Sequence, residues 1–143
     1  MQRLLVGLDA SPRAEIVLRT AADLAKRAGA KVILFRSVGL PIEIPRDAYS
    51  LPPDALAEKL EQDAKADLAR LAAEIDPAIV QGTLVHIGTP WQAICAAAKE
   101  QAADLIVIGS HGYAGLDRLM GTTASKVVNH ADRSVLVVRN RLD

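Results

Sequence analysis

The chain has 143 residues, a length that suits one domain with one core. Half the residues are hydrophobic and 24% are charged, with 17 basic side chains against 17 acidic ones, so there is no excess of basic charge for DNA or RNA. Aromatic residues make up only 3%, which leaves no stacking platform for single-stranded bases. No apolar run approaches the ~18 residues that span a bilayer. The opening Met1-Gln2-Arg3-Leu4-Leu5-Val6 reaches Asp9 too soon for a signal-peptide core. The expected location is therefore the cytoplasm, with neither nucleic acid nor membrane as partner. Cys95, the single cysteine, has no partner for a disulfide or a metal pair and is expected to be a small buried apolar residue.

In chain order, Arg3 to Leu8 (RLLVGL) reads as a short buried strand. Asp9-Ala10-Ser11-Pro12 punctuates it, with Ser11 as helix N-cap and Pro12 as the first helical residue. Ile16, Val17, Thr20, Ala21, Leu24 and Ala28 recur at helical spacing up to Gly29, placed as a C′ glycine. Val32 to Val38 (VILFRSV) is the second strand. Residues 39–53 hold Pro41, Pro45, Pro52 and Pro53 and read as a long irregular stretch. Asp54 to Ile75 is an amphipathic helix with Leu56, Leu60, Ala64, Leu68 and Leu71 on one stripe, ended by Pro77. Its charged side is a solvated face. Ile79 to Ile87 is the third strand, and Gly88-Thr89-Pro90 opens a helix from Trp91 to Gln101. Asp104 to Ile108 is the fourth strand, 121–131 the last helix, and Ser134 to Arg139 the fifth strand.

Alternation of this kind predicts a parallel sheet with right-handed crossovers and helices on both faces. Ligands of such sheets sit beyond the C-terminal strand ends, where strand order switches. That rule nominates Asp9 after the first strand, the turn at Ser37 and Val38 after the second, and Gly109-Ser110-His111-Gly112 after the fourth. Eight residues later, Gly121-Thr122-Thr123 opens a helix, offering free N–H groups, two hydroxyls and the positive end of the helix dipole. This pattern suits a phosphate-bearing ligand. There is no GxxxxGK[ST], and no GxGxxG follows the first strand. Asp9 stands there instead. An acid would repel a pyrophosphate but suits ribose hydroxyls or a Mg²⁺ ion.

Over essentially the whole chain the sequence resembles the universal stress proteins. The resemblance is carried by VGLDASP at the first strand, HIGTPWQAI around the third, and DLIVIGSHGYAGLDRLMGTTASKVVNHADRSVLVVR at the C-terminus. It implies the ATP-binding branch of that family, and a single doubly wound α/β domain over 1–143 with strand order 3-2-1-4-5. By position, it implies that Asp9 lies near ribose and metal and that Ser37 and Val38 read the adenine edge through their backbone. Gly109, Ser110, His111 and Gly112 would line ribose and phosphates, with Gly121, Thr122 and Thr123 holding the outer phosphates. ATP with Mg²⁺ is the implied ligand, ADP or AMP being others, and any contact of Asp9 with the metal is indirect. The spacing from Gly112 to Gly121 is one residue shorter than the family pattern. The final strand, 134–139, should be a sheet edge, and the resemblance implies that the same strand of a second subunit covers it in a homodimer.

Several residues keep two readings. Asp9 either contacts the ligand or ends the strand and caps the next helix. Arg118 and Gly115 either approach the phosphates or serve the loop and surface. His86 and His130 read as structural, Trp91 as packing. His111 has no visible nucleophile partner, and no catalytic residue is assigned. Two alternatives stand beside the ATP-binding regulator: a dimeric interaction module of the same family that binds no nucleotide, and a weak Mg²⁺-dependent ATPase resting on Asp9.

Overall fold

The central strand of the sheet is β1 (Arg3–Gly7), flanked on one side by β2 (Lys31–Val38) and on the other by β4 (Leu105–Gly109). These observations come from a computed structural model that describes residues 1–39, 53–110 and 121–139. β3 (Val80–Ile87) lies outside β2, and β5 (Ser134–Val138) outside β4. All four pairings are parallel, with registers such as Leu5↔Ile33, Leu5↔Ile106 and Ile108↔Val137. The order is β3-β2-β1-β4-β5, as expected, and both β3 and β5 are edges.

Alternating side chains send the strands' apolar groups to opposite faces. Leu4, Val6 and Leu8 of the first strand segment, Val32 and Leu34 of β2 and Val107 of β4 pack with α1 (Ala14–Ala28) and α2 (Pro53–Ala72). Leu5, Ile33, Phe35, Ile106 and Ile108 pack with α3 (Pro90–Glu100) and α4 (Thr122–His130). The inner strands are buried on both faces, which is why they read as unbroken apolar runs. Each fully buried Leu, Ile or Phe contributes ~1.5–3 kcal/mol. Truncating Phe35, which is completely buried, is expected to cost ~3–5 kcal/mol.

Helix boundaries follow local chemistry, with two corrections. α1 starts at Ala14, not after Ser11, and its N-cap Arg13 makes no side-chain cap bond. Ser11 is captured by the acid before it: its N–H donates to Asp9 Oδ1 at 2.9 Å and its hydroxyl donates to the same oxygen at 2.6 Å. The Arg13 N–H in turn donates to the Ser11 hydroxyl oxygen at 3.3 Å. Asp9-Ala10-Ser11 is therefore an Asx turn that delays the helix, and Pro12 lies in the next turn, closed by the Arg13 N–H on the Ser11 hydroxyl. The second correction concerns the buried face of α1, which carries Ala14, Val17, Leu18, Ala21, Ala22 and Ala25. Ile16 is 42% exposed and Thr20 is exposed. Small alanines let the helix approach the sheet closely, and they decide which side docks. Gly29 ends α1 at φ 68°, the left-handed C′ conformation expected of it. After α2, Asp76 accepts the Ala78 N–H at 2.9 Å and opens a short 3-10 turn, Pro77–Ile79.

Candidate functional site

β2, β1 and β4 end side by side, and α1 and α4 begin at that same edge. The space between is a crevice of about 420 Å³, within the ~300–1,000 Å³ of small-molecule sites. Six of the residues nominated from sequence line it: Asp9, Ser37, Gly109, Gly121, Thr122 and Thr123. They come from four separated stretches of chain, and the parallel sheet gathers them.

Asp9 follows β1 with its carboxylate oriented by the two Ser11 bonds, both on Oδ1. It is the one carboxylate among the described residues lining the crevice, and Arg13 is the one cation. The described residues hold no group of three or more His, Cys, Asp or Glu placed to bind a metal. One carboxylate is enough of a protein donor set for Mg²⁺ where a ligand's phosphates and water complete its shell.

Ser37 and Val38 are the last two residues of β2. The Ser37 hydroxyl donates to the Gly88 carbonyl at 2.8 Å, and the Gly88 N–H donates to the Val38 carbonyl at 3.0 Å. These bonds clamp the end of β2 to the turn before α3. Ser37 lines the crevice, whereas Val38 packs against the core.

Gly109 ends β4 against α1. A Cβ there would stand 3.2 Å from Val17 Cγ2, so strand and helix pack closely enough that a larger residue makes Val17 give way. Ser110 lies behind the crevice, only 4% exposed. Its N–H donates to the Val138 carbonyl at 2.9 Å, and its carbonyl accepts the Gly121 N–H at 2.6 Å. His111, Gly112, Gly115 and Arg118 lie outside the described residues.

Gly121 precedes α4 with extended backbone (φ −66°, ψ 167°), and no side chain caps the helix. The first helical bond runs from the Ser125 N–H to the Gly121 carbonyl at 3.0 Å. The N–H groups at the start of such a helix lack intrahelical partners and carry its positive dipole end. Thr122, Thr123 and Ala124 line the crevice at this point.

Other reactive side chains have partners elsewhere. The His86 ring meets Phe35 edge-on at 5.4 Å, and the His130 ring stacks on Trp91 at 4.6 Å. The Lys126 ammonium sits 5.7 Å from the centre of the Trp91 ring. Cys95 is half-buried on the α3 side of the sheet. Burial pushes its thiol pKa up, with Asp132 adding to the effect.

Sequence reading missed two residues here. Arg13 lines the crevice but sits in no motif. Arg36 is a lone charge in the apolar run VILFRSV and is only 8% exposed. That contradiction was the available signal, because a buried guanidinium must find partners.

A model of the universal stress protein family matches residues 1–139. The chain belongs to that family. Universal stress protein A homolog 1 of Coxiella burnetii is 29% identical over 139 residues, covering 96% of this chain and 95% of its own length. Universal stress protein UspA from Lactobacillus plantarum superposes with a TM-score of 0.77 at 25% identity, over 96% of this chain and 97% of that one. The universal stress protein from Archaeoglobus fulgidus, solved in complex with dAMP, superposes with a TM-score of 0.60 at 23% identity, over 97% and 98% of the two chains.

Proposed function

We propose that the crevice binds an adenine nucleotide, with ATP and Mg²⁺ as the working pair, and that the protein is a small regulatory stress-response protein with little or no turnover. One observation carries this reading: Asp9, Gly109 and the uncapped start of α4 at Gly121-Thr122-Thr123 converge on a single crevice of small-molecule size. The N–H groups and hydroxyls of the α4 start suit outer phosphates. Asp9 suits the ribose hydroxyls or, through water, the metal. The backbone of Ser37 and Val38 would read the base, and Gly109 would face the ribose and phosphates. The dAMP complex of the Archaeoglobus fulgidus relative supports the adenine nucleotide class. ADP and AMP would share the base and ribose contacts.

The same reading makes the protein a homodimer. β5 is an edge strand whose Val135, Leu136 and Val137 are only half-buried. Antiparallel pairing with β5 of a second copy would remove that edge. Cytoplasmic placement belongs to this reading too; among the described residues no helix is long and apolar enough to cross a membrane.

The test is to denature the purified protein, analyse the released small molecules by mass spectrometry, and titrate the nucleotide-free protein with Mg²⁺–ATP in a calorimeter. Released or bound adenine nucleotide is the expected result. A folded protein that carries none and gives no heat with ATP, ADP or AMP would overturn the reading and favour a module that works through protein contacts alone.

A further inference from the structure

Registered pairing of β1 with β2 stops at Gly7 and Phe35, and the Leu8 N–H adds one bond to the Phe35 carbonyl at 2.9 Å. Beyond that point a side chain takes over from the ladder. Arg36 Nε donates to the Leu8 carbonyl at 2.9 Å, and Nη2 donates to the Asp9 carbonyl at 2.7 Å. The third nitrogen, Nη1, pairs with Asp67 Oδ2 of α2 at 2.6 Å. Asp67 is itself held from the other side, where Arg70 Nη2 donates to Oδ1 at 2.7 Å. A guanidinium is a rigid planar fork, so three partners fix its orientation.

Asp9 is therefore held at both ends. Arg36 holds its backbone carbonyl, and Ser11 holds its carboxylate. An ion pair of a buried arginine with a half-buried carboxylate is weak ground for stability, since apolar packing of the same volume does as well. The guanidinium does something apolar packing cannot, which is to supply directed donors where the strand leaves the sheet. We infer that Arg36 is a positioning residue for Asp9, that Asp67 sets its orientation, and that helix α2 is thereby coupled to the crevice. What Asp9 touches rests on the nucleotide reading above; the positioning rests on the hydrogen bonds alone.

Two measurements test it. The first is amide hydrogen exchange by NMR on nucleotide-free protein, comparing the parent with Arg36→Met, Arg36→Lys and Asp67→Asn. Arg36→Met is expected to speed exchange at the Ser11 amide about tenfold, the size one lost charge-assisted bond produces, while Leu34 and Val107 amides of the inner strands stay protected. Arg36→Lys, which cannot reach all three partners, should fall between. Ser11 protection unchanged in every variant overturns the inference. If Arg36→Met does not fold, Asp67→Asn decides, because it keeps Arg36 and loosens only its anchor; a smaller change in the same direction supports the inference and no change overturns it.

The second measurement is a calorimetric cycle with Mg²⁺–ATP on Asp9→Asn, Arg36→Met and the double variant. If Arg36 acts through Asp9, Arg36→Met weakens binding in the parent but adds nothing in the Asp9→Asn background. Losses that multiply would mean an independent structural role and overturn the inference. A parent that binds no adenine nucleotide fails the nucleotide reading, and the exchange arm then decides the positioning by itself.

Discussion

The carbonyl of Ser110 accepts a hydrogen bond from the Gly121 N–H at 2.6 Å, so the two residues that flank positions 111–120 meet at one point. The Ser110 N–H extends this junction to the Val138 carbonyl of β5 at 2.9 Å. The end of β4, the start of α4 and the last residue of the edge strand therefore share one hydrogen-bonded node, and the crevice opens beside it.

Gly121→Pro tests that node. Gly121 has φ −66°, the angle proline prefers, but proline removes the donor and sets its ring Cδ where the amide hydrogen pointed at the Ser110 oxygen, 2.6 Å from the nitrogen. The Ser110 carbonyl, in a buried residue, then loses its partner. Unfolding in urea should show a loss above the ~1–3 kcal/mol of the bond alone, because the ring also clashes with that oxygen. An unchanged midpoint and slope would mean that the bond does not hold the start of α4.

Gly109→Val should destabilise the protein by ~1–3 kcal/mol, because the added side chain meets Val17 Cγ2 and a β-branched valine has few rotamers with which to yield. Thermal melting monitored by circular dichroism is the check. Wild-type stability would show that α1 moves away freely.

Acid should weaken the fold through three carboxylates. The Arg3 N–H, and then the Gln2 N–H, hold Asp104 below the usual carboxylate range, at 2.9 and 2.7 Å from Oδ2. Arg133 does the same for Asp132, and Arg70 followed by Arg36 for Asp67. A carboxyl whose folded pKa is depressed contributes stability above its unfolded pKa and loses it as pH falls through the folded one. Urea midpoints should be level from neutral pH down and fall below about pH 4. Asp104→Asn should lower stability at pH 7 and make the acid decline shallower. An identical decline in parent and variant would remove Asp104 from the account.

Cys95 should react slowly. Burial raises its pKa, so at pH 7.5 it is a thiol with restricted access. Modification by a disulfide reagent should run at least ~tenfold slower than that of a free thiol, and reach the free rate in denaturant. A fast reaction in the folded protein would place the thiol in an open, activated setting.

Val137→Lys puts a charge on the half-buried edge strand opposite Ile108, in register with it. Sedimentation equilibrium should find the proposed dimer shifted to monomer. A variant that associates as tightly as the parent would take β5 out of the interface.

The element types were legible because their signals are local. Val32 to Val38 and Asp104 to Ile108 are apolar runs of strand length between breakers, and Gly29 marks the end of α1 by its own dihedral preference; α2 ends at Ala72, ahead of Pro77, which opens a 3-10 turn instead. Alternation then led to the parallel sheet, since crossovers have one favoured hand, while the strand order was what the family resemblance implied. The candidate site was legible for a related reason: Asp9, Ser37, Gly109 and Gly121-Thr122-Thr123 stand at strand ends and a helix start, and the fold brings such points to one edge.

By itself, then, the sequence determined the strands, the helices, the sheet class and the polar and glycine positions Asp9, Ser37, Gly109 and Gly121-Thr122-Thr123 of the crevice lining. Only the tertiary structure decided that α1 docks on its alanine face with Ile16 outward, that Ser11 serves Asp9 instead of capping the helix, and that Ser110 lies behind the crevice and Val38 against the core. It alone found Arg36, whose carbonyl partners are 27 and 28 residues away along the chain. The reason is physical. Propensity and periodicity act within a turn or a strand, whereas which face docks and where a buried charge finds its partners depend on groups that only folding makes neighbours.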